Sequence, residues 1–296
     1  MHVTRMVLRA ATGACLGLAA ALAPAGSLAD AGDLRTQYGQ LGEELRSNGF
    51  GRPLHIVSAE QQDRLAGVVH AVLDHPFTTV SAALRSPASW CDILILPFNT
   101  KYCHAVDGAA GSTLLVRIGR RFDQPVEQAY RLRFDFRDGA VRDDYFESQL
   151  QAREGPVGTR DYRISVSAVP IEDGRTFLRL DYSYGVGFAG RMAMQLYLAT
   201  AGADKTGFSV VGRGPDGQPR QIGGVRGAVE RNAMRYYLAI DAYLDSLAVP
   251  PERQVDRRIR VWYAATQRYP QLREMDIATY AAMKRQEVER QRTLLE

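Results

Sequence analysis

The sequence has 296 residues, and 46% of them are hydrophobic, which is enough for an ordinary buried core in one large or two small domains. The formal net charge is +4, and 24% of the residues are charged. This composition excludes a disordered chain, and it lacks the concentrated basic face that nucleic-acid backbones require. We therefore expect a globular protein without a nucleic-acid partner.

The first 29 residues have the pattern of a cleaved secretory signal peptide. Arg5 and Arg9 precede an apolar run over residues 10–22, and small residues at Ser27 and Ala29 suit a signal peptidase. The run is shorter than the roughly 20 apolar residues of a membrane-spanning helix. We predict cleavage near Ala29 and a periplasmic or secreted mature chain with a net charge of about +2. An uncleaved membrane anchor is the alternative.

Residues 30–63 are predicted to form an N-terminal helix and a linker. Apolar residues recur at helical spacing over residues 33–46, and Asn48-Gly49 can end that helix. Residues 64–73 are rich in β-branched and small apolar side chains, which favour a buried strand. Pro76 then permits the start of a short helix.

The middle of the chain predicts an antiparallel meander. Apolar and charged residues alternate over residues 130–136, which is typical of a sheet with one covered face. Asp-Gly pairs favour tight hairpin turns and occur at Asp138-Gly139, Asp173-Gly174 and Asp216-Gly217. The extended runs cover residues 112–122, 127–136, 144–152, 160–171 and 175–184.

Two helical patterns follow the strands. Residues 189–202 are rich in good helix formers, and residues 224–247 carry a broad amphipathic stripe that should lie across a sheet. Pro250-Pro251 ends the second helix. The remaining segment, 250–296, mixes both charge signs, a pattern typical of a solvated helix and less often of a partner-binding arm.

Cys91 and Cys103 are the two cysteines of the mature chain. Their separation does not fit structural zinc pairs or a Cys-x-x-Cys redox motif. An even cysteine count in an exported protein predicts one disulfide, which would stabilise the fold by roughly 3 kcal/mol. Two buried free thiols are the alternative.

No motif in the sequence predicts catalysis. The histidines lack His-Glu-x-x-His or similar spacing, and there is no Gly-x-Ser-x-Gly sequence. We therefore assign no catalytic residue, no metal ligand and no cofactor. Tyrosines and phenylalanines on the strands and on the long helix either fill the core or line a cavity.

Residues 66–94 combine a buried strand, a short helical segment and a following Trp, and most of the mature chain continues this order with strands and a long helix. This order resembles the START-like superfamily of lipid carriers, polyketide cyclases and plant allergens. The resemblance implies an α+β helix-grip domain over residues 64–249, in which a curved antiparallel sheet grips a long C-terminal helix, with extra C-terminal helices after it. It also implies a hydrophobic ligand between helix and sheet. The ligand-binding residues expected on this basis are Tyr130, Phe134, Tyr162, Tyr182, Tyr184, Arg231, Arg235 and Tyr237.

Three functions remain open at this point. The first is an exported carrier or sequestering protein for a hydrophobic small molecule or lipid, which would contact membranes transiently. The second is a cyclase or hydrolase in the same cavity, which would need polar groups with perturbed pKa values there, such as His70 or Asp181. The third is a periplasmic scaffold that binds a protein partner through residues 252–296.

Overall fold

The computed structural model describes residues 30–109, 111–200 and 205–295, so the predicted signal peptide lies outside the described residues. The helices described are α1 (Ala31–Gln40), α2 (Gly42–Arg46), α3 (Phe77–Leu84), α4 (Pro87–Leu94), α5 (Phe188–Ala199), α6 (Gly224–Ser246), α7 (Pro251–Gln267) and α8 (Ile277–Arg290). The strands described are β1 (Leu54–Gln61), β2 (Arg64–Leu73), β3 (Thr100–Gly108), β4 (Gly111–Ile118), β5 (Tyr130–Arg142), β6 (Tyr145–Glu154), β7 (Thr159–Pro170), β8 (Thr176–Val186), β9 (Val210–Arg213) and β10 (Pro219–Gln221).

Eight strands form one curved, open antiparallel sheet in the order β1-β2-β8-β7-β6-β5-β4-β3. Strands β3 to β7 each pair with the next strand along the chain, which confirms the predicted meander. Strand β2 pairs with β8, so the first strand of the predicted domain joins the end of the meander. Strands β9 and β10 form a separate two-stranded hairpin.

The segment predicted as a linker before residue 64 contains an additional strand. Strand β1 pairs with β2 along its whole length, from Leu54 opposite Ala71 to Gln61 opposite Arg64. The turn between them consists of Gln62 and Asp63, and Gln62 adopts a φ of 40°. Neither Gly nor Pro marks this turn, so the usual sequence signal for a hairpin is missing.

Helix α6 lies across the concave face of the sheet. It approaches β2 so closely that a Cβ added at Gly67 would lie 3.3 Å from both the Ala233 Cβ and the Val229 carbonyl oxygen. Val229, Ala233 and Met234 are fully buried there. This arrangement confirms the predicted α+β helix-grip fold.

The convex face is covered at one end by α1, whose buried Leu34 packs in a small cluster with Val72 and Phe177. The two faces are separated by strand alternation, because successive side chains of a strand point to opposite sides. In β8, Phe177 therefore faces α1, whereas Leu178 and Leu180 belong to the main core below α6.

Two of the three predicted Asp-Gly turns are confirmed. Asp173 and Gly174 have φ values of 60° and 67° between β7 and β8, and Gly217 has a φ of 76° between β9 and β10. The prediction at Asp138-Gly139 is wrong, since these residues lie at an irregularity inside β5 and the turn falls at residues 143–144. A Cβ at Gly139 would lie 3.0 Å from the Glu147 carboxyl carbon. Glycine therefore allows the Glu147 side chain of β6 to lie close to the β5 backbone.

Helices α7 and α8 pack against the domain. Ile259 and Trp262 of α7 are fully buried, and α7 contacts α6. Tyr280 of α8 is also fully buried and donates a hydrogen bond to the Leu96 carbonyl, 2.9 Å away. The charged C-terminal segment is therefore not simply a solvated arm.

Three charged side chains are buried where α8 meets β3. The Lys284 ammonium donates to the carbonyls of Pro97 (2.7 Å) and Thr100 (3.0 Å) and to Glu287 (2.6 Å). Lys101 forms an ion pair with the same Glu287 carboxylate at 3.2 Å. Burial lowers the pKa of Lys284 to about 8, although Glu287 opposes this shift. These bonds fix the loop between α4 and β3.

A disulfide joins Cys91 of α4 to Cys103 of β3, as predicted. Helix α4 belongs to the short helical layer before the meander, and β3 is an edge strand of the sheet. The disulfide therefore holds that layer to the sheet edge.

Helix α5 begins at Phe188 and ends at Ala199, within the region where the sequence predicts a helix. Residues 201 and 202, at the end of that prediction, lie outside the described residues. Phe188, Met192 and Leu196 are spaced four residues apart and are exposed. No helix in the described ranges is long and apolar enough to cross a membrane.

Candidate functional site

A cavity of about 100 Å³ lies between α6 and the concave face of the sheet. It is several times smaller than the roughly 300–1,000 Å³ of typical ligand pockets. Its size suits a small ring-shaped molecule better than a long acyl chain. The lining residues come from α6, from strands β4, β7 and β8, and from nearby loops, and are Pro97, Asn99, Ile118, Pro156, Tyr162, Tyr182, Asn232, Arg235 and Tyr236.

Tyrosines form the apolar wall of this cavity. The centres of the Tyr182 and Tyr236 rings are 5.2 Å apart, and Tyr162 stacks on Tyr184 at 5.1 Å with nearly parallel rings. Tyr182 lies opposite Ile164 in the sheet, and strand alternation places Tyr162 and Tyr184 on the same concave face. The sequence periodicity of β7 and β8 thus builds a continuous aromatic surface.

Burial raises the pKa of two phenols in this wall. This is the main cause for Tyr182 and Tyr236, and the neighbouring Tyr162 adds to it in both cases. These phenols therefore remain protonated at neutral pH and can donate hydrogen bonds. The Tyr162 hydroxyl is 2.9 Å from the Thr159 hydroxyl.

The polar side of the cavity comes from α6. Asn232 and Arg235 are three residues apart and share a helix face, and Arg235 Nη1 donates to Asn232 Oδ1 at 3.2 Å. Asn232 also hydrogen-bonds the Tyr182 side chain. Arg235 Nη2 donates to Glu274 Oε1 at 2.7 Å. The cavity therefore joins an aromatic wall to an amide and a guanidinium.

Three of the residues expected to bind ligand line the cavity, namely Tyr162, Tyr182 and Arg235. Tyr184 stands behind Tyr162 in the aromatic stack. Phe134 is buried in the main core and does not line the cavity.

The other three expected residues lie elsewhere. The Tyr130 hydroxyl accepts a hydrogen bond from Arg120 Nε at 2.6 Å. Arg231 donates to the carbonyls of Lys205 and Thr206 at 2.9 and 3.0 Å. Tyr237 is fully buried beneath the Arg52 guanidinium, 4.9 Å from its ring centre. None of these three lines the cavity.

Six lining residues are not among the eight ligand-binding residues expected from the sequence. Asn232 lies three residues before Arg235 and four residues before Tyr236, so helical spacing leads from Arg235 to Asn232 and from Asn232 to Tyr236. The others come from loops or from a strand end, where no sequence pattern indicates a position in space. The six are Pro97, Asn99, Ile118, Pro156, Asn232 and Tyr236.

His70 and Asp181, the groups that the enzyme hypothesis needs inside the cavity, lie on the convex face. His70 Nε2 is 3.1 Å from the Gln37 amide oxygen of α1. Asp181 accepts two hydrogen bonds from Arg179, at 2.7 and 2.8 Å. Burial lowers the pKa of His70 to about 3, with smaller effects from Arg179 and His55. The perturbed pKa therefore reflects packing under α1, and the expectation that these groups face the cavity is wrong.

No group of three or more His, Cys, Asp or Glu side chains within residues 30–109, 111–200 and 205–295 is arranged to hold a metal ion. The cavity itself offers phenol, amide and guanidinium groups. These groups can bind a ligand by stacking and by hydrogen bonds.

No protein-family model matches the sequence, and neither does any curated protein. Solved structures with some likeness include a norcoclaurine synthase point mutant from Thalictrum flavum (16% identity, 48% of this chain and 89% of that chain, TM-score 0.34). They also include Ara h 8.0201 (10% identity, 65% of this chain and 99% of that chain, TM-score 0.34). A third is a START superfamily protein from Mycobacterium smegmatis (16% identity, 50% of this chain and 89% of that chain, TM-score 0.31). Likeness at these scores carries no argument about ligand or reaction. The helix-grip fold of this chain rests on its own strand order and on the placement of α6.

Proposed function

We propose that this protein binds a small molecule with an aromatic or compact apolar body in the cavity between α6 and the concave face of the sheet. The observation that carries this proposal is the wall formed by Tyr162, Tyr182 and Tyr236, with Asn232 and Arg235 on its polar side. Aromatic walls with a few placed polar groups are typical of small-molecule sites. Within the first of the three functions considered, the cavity size favours a small molecule over a lipid.

Binding without covalent catalysis is the form of this function that the cavity supports best. The lining residues do not include His, Cys, Ser, Asp or Glu within the described part of the chain. Burial raises the pKa of Tyr182 and Tyr236, which opposes their use as bases near neutral pH. The protein would then carry or sequester its ligand.

The test is calorimetric titration with benzamide, a small neutral aromatic probe. We expect one molecule to bind each chain. Ile118→Trp places a large side chain at the cavity and should weaken binding by at least about tenfold, because the added ring occupies the ligand volume. Val141→Trp is the matched control, since Val141 is 42% exposed and does not line the cavity. Equal benzamide binding by both variants would count against the proposal.

We also propose that the protein works outside the cytoplasm. The disulfide between Cys91 and Cys103 supports this location, because such bonds persist in oxidising compartments. Mature protein isolated without reductant and then denatured should show no thiol that reacts with Ellman's reagent, and two after reduction. Two reactive thiols before reduction would argue against export.

A further inference from the structure

Glu274 lies in the loop between α7 and α8 and forms an ion pair with Arg235, the cationic side chain that lines the cavity. Its Oε1 accepts from Arg235 Nη2 at 2.7 Å, and both of its oxygens lie 3.3 Å from Lys205 Nζ. The Arg235 side chain is 15% exposed and that of Glu274 is 29% exposed. A carboxylate of the chain itself thus sits on the guanidinium that borders the ligand volume.

Arg235 alone carries a formal charge among the described residues that line the cavity. A guanidinium beside buried tyrosines needs an anionic partner, because an uncompensated charge in such surroundings is costly. The planar guanidinium also matches the two oxygens of a carboxylate better than any neutral group. A ligand that displaces Glu274 from Arg235 must therefore bring its own carboxylate.

Lys205 makes the exchange of carboxylates favourable. If Glu274 leaves Arg235, it still has the Lys205 ammonium at 3.3 Å and partial contact with water. Neither carboxylate would then be left buried without a cation. Glu274 can release Arg235 without the large penalty that usually follows the loss of one partner from a buried ion pair.

We propose that the ligand is a small aromatic carboxylate, and that its carboxylate replaces Glu274 on Arg235 while its ring packs on the tyrosine wall. Glu274 acts as an internal competitor that sets the affinity for anionic ligands. This inference rests on the proposed function of the cavity. It adds the charge of the ligand and gives the C-terminal segment a part in selecting it.

The experiment compares benzoate with its neutral counterpart benzamide by calorimetric titration of the full mature chain. The unmodified protein should bind benzoate more tightly than benzamide. Glu274→Gln should bind benzoate roughly tenfold more tightly than the unmodified protein, with benzamide unchanged, because the competing charge is gone. Glu289→Gln is the control, since Glu289 pairs with exposed Arg292 near the chain end and should change neither affinity.

Lys205→Met should change benzoate affinity in the opposite direction to Glu274→Gln. Without Lys205, Glu274 depends on Arg235 alone, so benzoate should bind several-fold more weakly while benzamide is unaffected. Arg235→Met should abolish the preference for benzoate over benzamide. Circular dichroism would check that each variant is folded.

The outcomes separate the two proposals. The carboxylate inference alone would be overturned by the following combination of results. Benzamide binds and its binding is lost in Ile118→Trp, but the protein does not prefer benzoate and Glu274→Gln does not change benzoate affinity. Failure of both probes to bind any folded variant would overturn the function of the cavity itself.

Discussion

The two faces of the sheet use polar residues in different ways. On the concave face, Tyr182, Asn232 and Arg235 surround unfilled volume. On the convex face, His70 contacts Gln37 of α1, and Arg179 pairs with Asp181. The histidine with the strongly lowered pKa therefore lies on the face that α1 covers. A perturbed pKa marks burial here, and unfilled volume marks the candidate site.

The largest expected effects come from truncating one large aromatic residue on each face. Tyr182→Ala and Phe177→Ala should each lower the free energy of unfolding by about 3–5 kcal/mol, since both side chains are almost fully buried. Only Tyr182→Ala should also alter benzamide affinity. Chemical denaturation and calorimetry of the folded variants would show this. A loss of benzamide binding in Phe177→Ala alone would reverse the roles assigned to the two faces.

A smaller effect concerns pH and the convex face. His70 has a pKa of about 3 in the folded protein because of burial, against about 6.5 for an unperturbed histidine. Between these values the unfolded chain binds a proton that the folded chain does not. The contribution of His70 to stability is therefore complete above pH 6.5 and declines as the pH falls, by about 2 kcal/mol at pH 5.

His70→Gln should remove this part of the acid sensitivity. Denaturation midpoints measured at pH 7 and pH 5 would show a smaller difference in the variant than in the unmodified protein. The charged and titratable neighbours that remain are Arg179 and His55. Benzamide affinity should not change, since His70 lies on the other side of the sheet. An unchanged pH difference would show that His70 is not the group responsible.

Patterns within single elements predicted most of the architecture. Alternation over residues 130–136 predicted a strand with one covered face, and the stripe on α6 predicted its position across the sheet. The failures occurred where long-range contacts decide. The charge pattern of the C-terminal segment predicts that Glu287 is solvated. It is instead buried, because Lys101, 186 positions earlier in the chain, lies beside it.

The cavity was predicted only in part for a similar reason. Tyr237 belongs to the apolar stripe of α6, but one residue of a helix turns by about 100°, so its neighbour Tyr236 faces the cavity instead. Pro97 and Asn99 reach the cavity from a loop that Lys284 holds through carbonyl hydrogen bonds. No local pattern records that connection between α8 and the loop.

Native mass spectrometry of the protein isolated from its source without denaturation tests the central claim most directly. We predict that one small molecule with an aromatic ring accompanies each chain of the unmodified protein and of Val141→Trp, and that it is absent from folded Ile118→Trp. A long-chain lipid bound to the protein, or a ligand retained equally in Ile118→Trp, would contradict the assignment of the cavity as the binding site.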